Sequence, residues 1–150
     1  MIKDIHKWEQ AMVHLLNLDG WNLQHTGKGN ESWDAVGTTP KGKQCVIEMK
    51  FRKTYYETKM IEKFKYDKLL ATGKIALYFV NDPNGNYLFW LNGLKDLKEV
   101  EMYCPDTTLW TKKKIKKPCY LLNESDAAIK NINQKDTEIG VWDSYFKIRE

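Results

Sequence analysis

Along the first eighteen residues, Ile2, Ile5, Met12 and Leu16 recur at steps of three, seven and four, and Lys3, Lys7, Gln10, His14 and Asn17 alternate at four and three. Two stripes of that spacing belong on opposite faces of an α-helix. The pattern predicts a helix over 2–18, ended by Asp19-Gly20. The position that should continue the apolar stripe between Ile5 and Met12 is Glu9, a carboxylate directed at the interior edge. It reads equally as a ligand or as a rim side chain that snorkels to water.

Three short segments follow, Trp21 to Thr26, Trp33 to Thr39 and Gln44 to Arg52, separated by Gly27-Lys28-Gly29-Asn30 and Pro40-Lys41-Gly42-Lys43. Polar turn residues between β-like runs predict an antiparallel meander. In the third run Cys45, Ile47, Met49 and Phe51 alternate with Val46, Glu48, Lys50 and Arg52, so period two puts Glu48 and Lys50 on one face. Tyr55 to Thr72 returns to helical spacing, with Tyr56, Met60, Ile61 and Phe64 inward, Lys59, Lys63, Lys65 and Lys68 around the rest, and Gly73 as the stop. Strands are expected at Lys74 to Asn81 and Asn86 to Leu91, joined through Asp82-Pro83-Asn84-Gly85. The last third predicts a short helix near Leu94, strands at Val100 to Cys104 and Cys119 to Leu122 around a basic run from Lys112 to Lys117, and a short helix from Ser125 to Ile132.

Composition narrows the class. At 150 residues with 42% hydrophobic and 29% charged positions, the chain suits one globular domain, with a core over about 1–91 and a C-terminal extension over about 92–150. No apolar run approaches the ~20 residues of a membrane span, and the start lacks a signal-peptide block, so a cytoplasmic protein is expected. Cys45, Cys104 and Cys119 are odd in number and widely spaced, and His6, His14 and His25 lack HExxH spacing, which argues against disulfides and a zinc enzyme. Signatures for dinucleotides, P-loop phosphates and the hydrolase nucleophile elbow are missing.

The remaining chemistry sits at Asp34 and Glu48-Met49-Lys50. Across one hairpin turn, both carboxylates and the Lys50 ammonium can share one partly buried patch of sheet. Like charges buried together call for a compensating cation, and oxygen ligands favour a hard one, Mg²⁺ or Mn²⁺. Such a patch supports phosphodiester hydrolysis: the ion polarises the phosphate and acidifies a water, and Lys50 orients that water or offsets growing charge. The plain alternative is that Glu48 and Lys50 form a surface ion pair worth about 0.2–1 kcal/mol.

Asp34 followed by Val46-Ile47-Glu48-Met49-Lys50 resembles the PD-(D/E)XK nuclease superfamily, which includes restriction enzymes, phage exonucleases and Holliday-junction resolvases. The order helix, three-strand meander, helix, strand is similar to its common core. The resemblance implies an α/β fold with a central mixed sheet flanked by helices, metal binding by Asp34, Glu48 and the backbone carbonyl of Met49, and a catalytic Lys50. It also implies that Glu9, on the first helix, joins the metal shell. Ser32-Trp33 stands where the family's Pro would precede Asp34.

Lys53, Lys59, Lys63, Lys65 and Lys68 follow this motif, and Lys112, Lys113, Lys114, Lys116 and Lys117 form a second block. Both suit phosphate contacts, although a lysine-rich face also serves solubility. The sequence therefore points to a Mg²⁺-dependent nuclease, expected to be an endonuclease acting on DNA in phage or mobile-element processing. A catalytically inactive nucleic-acid-binding or protein-interaction module on the same fold stays open, as does a homodimer supported by the six Trp and eight Tyr.

Overall fold

Helix α1 (Ile2–Leu18) lies against one face of a six-stranded sheet. The computed structural model describes residues 2–26, 33–105 and 113–130. The sheet runs β1 (Asn22–His25), β2 (Ala35–Thr38), β3 (Gln44–Phe51), β5 (Ile75–Asp82), β6 (Gly85–Trp90) and β9 (Ile129–Lys130), in that spatial order. The β1-β2-β3 meander is antiparallel as expected, and β3 then pairs parallel with β5, with Glu48 opposite Tyr78 and Lys50 opposite Val80. Gly37 is obligatory in this meander: at φ +154°, a Cβ there would stand 2.0 Å from the Asn22 carbonyl oxygen on β1.

Period two divides β3 between two cores. Cys45, Ile47 and Met49 pack with Met12, Leu15 and Leu16 of α1, with Leu77 and Phe79 of β5 beside them. Val46 faces the other way, into a cluster holding Ile61, Leu69, Tyr78, Val80 and Phe89. Glu48 and Lys50 share the parity of Val46 along β3. The buried stripe of α1 is Trp8, Ala11, Met12, Leu15 and Leu16, at steps of three, one, three and one, and Ile5 is 44% exposed. Ile5 therefore borders the core.

The stretch expected as a helix from Tyr55 to Thr72 is divided. Thr58–Glu62 forms strand β4, and only Lys63–Leu70 is helical (α2). Strand β4 pairs with β8 (Lys114–Asn123), which pairs with β7 (Lys98–Pro105), giving a second, three-stranded sheet. The alternation of β4 turns Lys59 and Ile61 inward and leaves Tyr56 and Phe64, expected inside, 56% and 62% exposed. Long-range pairing with β8 overrode the helical spacing. The expected helices near Leu94 and from Ser125 are single 3₁₀ turns, Leu91–Gly93 and Glu124–Asp126, and the positions beyond 130 lie outside the described residues.

Lys59 is 2% exposed and does not present its ammonium to a surface, which removes it from the phosphate contacts expected of the lysine block. Its Nζ lies 2.7 Å from Asp82 Oδ2 and 3.2 Å from Glu124 Oε2, donates to the Tyr56 carbonyl, and sits over the rings of Tyr55 and Tyr87. This network ties β4 of the small sheet to the β5-β6 turn of the large one.

Candidate active site

Asp34 sits one residue before β2, where its backbone N–H donates to Ile47 and its side-chain Oδ2 accepts the Met49 N–H at 2.8 Å. The carboxylate is thereby anchored beside β3. Glu9, on α1, and Glu48 and Lys50, on β3, line the same pocket of about 210 Å³ as Asp34, together with Ile5, Met49 and Phe51. The four polar residues singled out in the sequence thus converge on one cavity. Glu9 and Glu48 are nearly buried, at 4% and 7% exposure.

The carboxylates disturb one another. Burial, followed by the neighbouring charge of Glu9, raises the Asp34 pKa to about 6 against the bond from Met49, which lowers it. Burial and the charge of Asp34 raise Glu48 to about 7, and Lys65 and Lys50 oppose the rise. Lys50 is pushed down by burial and by the nearby cations Lys65 and Arg52. Burial also works against the charge on Lys65, but the Glu48 carboxylate 3.2 Å away and Glu62 outweigh it and hold the pKa up. Lys65, on α2, is a member of the site that the sequence placed only in a surface lysine block. The signal for it was positional: α2 packs over the face of β3 that carries Glu48.

Glu48 and Lys50 also wall a second cavity of about 300 Å³, lined further by Arg52, Lys65, Tyr103 and Lys114. The pocket on one side of Glu48 and Lys50 is therefore mainly acidic and the cavity on the other mainly cationic. Among the remaining lysines, Lys53, Lys113, Lys114 and Lys116 are exposed, Lys63 pairs with Glu99 at 3.1 Å, Lys117 pairs with Glu62 at 3.4 Å, and Lys112 lies outside the described residues. The small sheet delivers Lys114 from β8 to the cavity that Lys50 lines.

The donor set fits a hard divalent cation. Glu48 is buried and Asp34 half-buried, a metal would relieve the repulsion between their carboxylates, and both supply oxygen. The sequence missed a different convergence: His6 Nδ1 and His25 Nε2 stand 3.2 and 2.7 Å from the same oxygen of Glu9. His6 and Glu9, three apart on one helix face, were a partial signal; His25 comes from another element.

No family model matches the sequence, and no curated protein matches it. Among solved structures, the chain is similar to Hjc of Archaeoglobus fulgidus, a Holliday junction resolvase from an archaeal hyperthermophile, at 16% identity and a TM-score of 0.52. The match covers 87% of this chain and 92% of that one. No helix among the described residues is long and apolar enough to cross a membrane. The chain therefore shares the fold of that resolvase, the mixed α/β architecture with a central mixed sheet flanked by helices that was expected from the sequence.

Proposed function

We propose that this chain is a DNA nuclease that uses Mg²⁺ or Mn²⁺ to hydrolyse phosphodiester bonds as an endonuclease. The observation that carries the reading is the convergence of Asp34, Glu48, Lys50 and Glu9 on one pocket at the end of β3. Asp34, Glu48 and the backbone carbonyl of Met49 would hold the ion, with Glu9 at its margin. Bound there, the ion supplies Lewis acidity to a phosphate oxygen and lowers the pKa of a water.

The chain's own residues supply the rest. Burial and neighbouring cations bring the Lys50 ammonium closer to its neutral form, which suits Nζ to orient the attacking water and exchange a proton with it. Its charged form offsets the negative charge that grows on the phosphate. Arg52, Lys65 and Lys114 border the adjoining cavity and suit the flanking backbone phosphates, which are recognised by charge and without sequence preference.

The archaeal neighbour is a Holliday junction resolvase, so a four-way junction is the first substrate to offer, beside linear duplex and single-stranded DNA. Cleavage of at least one of these in Mg²⁺ or Mn²⁺, reduced by about 10³-fold or more in Glu48→Gln, is the expected result. No cleavage of any, or full activity in the variant, would overturn the reading. Salt-sensitive binding without cleavage would favour an inactive DNA-binding module.

A further inference from the structure

Helix α1 and strand β1 bring two imidazoles to one buried carboxylate. His6 and Glu9 lie three residues apart on α1, and His25 ends β1. One ring nitrogen of each histidine faces Glu9 Oε1, and the three ligand atoms lie within 4.8 Å of one another. The rings meet edge to face with centroids 5.6 Å apart. Glu9 is 4% exposed, and the His6 and His25 side chains are 28% and 13% exposed.

The arrangement is fixed by its surroundings. Asn17 clamps α1 to β1 twice, accepting the Leu23 N–H at 2.8 Å and donating to the Leu23 carbonyl at 3.1 Å. His25 pairs with Ala35 in the sheet, next to Asp34. Two nitrogens and one oxygen from a rigid helix-strand corner match the donor set of three-ligand zinc sites, which keep an open position for solvent. Zinc bonds of roughly 2.0–2.2 Å place tetrahedral ligand atoms about 3.4 Å apart. The separations of 2.7 and 3.2 Å are within a small side-chain adjustment of that spacing.

We propose that His6, Glu9 and His25 form a binding site for a first-row transition-metal ion of the Zn²⁺ class, distinct from the all-oxygen site at Asp34 and Glu48. Imidazole donors select Zn²⁺ and Co²⁺ over Mg²⁺, whereas the carboxylates of the neighbouring site take the hard ion. Glu9 stands between the two, since it lines the pocket with Asp34 and Glu48 while facing both histidines. The site stands independently of the nuclease reading, because metal capture at this corner requires neither Lys50 nor a DNA substrate.

Titration of the full chain with CoCl₂ in millimolar MgCl₂ tests it, read by visible d–d absorption and by calorimetry with ZnSO₄ in parallel. One equivalent of Co²⁺ and of Zn²⁺ is expected to bind despite excess Mg²⁺, and Glu48→Gln is expected to retain it. His6→Ala, at a partly exposed helix position where folding is not at issue, is expected to weaken binding by roughly tenfold or more, and His25→Ala likewise. Thermal unfolding in EDTA checks that both variants are folded, and His25→Asn replaces His25→Ala if that variant is not. No binding to the wild type, binding unchanged in both histidine variants, or binding lost in Glu48→Gln would overturn the proposal.

Discussion

Two charge clusters lie along the paired strands β3 and β5 and differ in how their charges are balanced. Around Lys59 the charges are opposite and satisfied: Asp82, Glu124, a backbone carbonyl and two aromatic faces surround one ammonium. Around Asp34 and Glu48 like charges prevail: after burial, Glu9 raises the Asp34 pKa and Asp34 raises that of Glu48, and Lys65 and Lys50 only partly oppose the rise. A closed cluster needs nothing from outside and serves the fold. A repulsive cluster at a pocket gives up stability and is completed by a ligand, which is why perturbed carboxylates mark functional sites.

The largest way to break the contrast is Lys59→Met. It leaves buried Asp82 without its cation and should lower stability by about 3–5 kcal/mol in denaturant unfolding. Adding Asp82→Asn should recover much of that loss, because the unpaired charge is then gone. A Lys59 variant as stable as the wild type would remove the structural role of the network.

Asp34→Asn should act in the opposite direction. A carboxylate raised from 3.8 to about 6 binds its proton more tightly in the folded state, so its folded form is favoured at low pH and that advantage is lost as pH rises through this window. At pH 8 in EDTA, replacing it removes the cost of ionisation and should stabilise the chain by on the order of 1 kcal/mol, with the gain fading towards pH 4. The amide oxygen can still accept the Met49 N–H. A variant that is less stable at pH 8, or equally shifted at both pH values, would show that Asp34 is held as an ordinary structural acid.

The smallest effects are expected outside both clusters. Lys116 is exposed, with its Nζ 5.6 Å from the Tyr103 ring, so Lys116→Ala should leave stability within about 0.5 kcal/mol. DNA affinity should weaken uniformly across sequences, with the slope of log K against log salt reduced by about one. An unchanged slope would place β8 away from the phosphate path.

Legibility in the sequence followed the range of the determining contacts. Helix α1 was readable to its ends, because a full amphipathic period and Asp19-Gly20 are local signals. So was β3, whose alternation separates Ile47 and Met49 from Glu48 and Lys50, and with it most of the candidate site. Residues 55–72 were not, since Tyr56, Met60 and Phe64 fit a helix until β8, some sixty residues later, recruits Thr58–Glu62 into a sheet. Lys59 looked like a surface cation because Asp82 and Glu124 are remote in sequence. His25 and Lys65 reach the site only through tertiary packing, so no spacing rule announces them.

The central claim is that Asp34 and Glu48 form a repulsive pair that a divalent cation completes, and thermal unfolding against MgCl₂ at pH 5.5 and pH 8 tests it most directly. A ligand held by the ionised carboxylates competes with their protons, which bind with pKa values of about 6 and about 7. Millimolar Mg²⁺ should therefore raise the Tm by a few degrees at pH 8, by clearly less at pH 5.5, and by nothing at either pH in the Asp34→Asn, Glu48→Gln double variant. An absent shift at pH 8, or the same shift in the double variant, would contradict it.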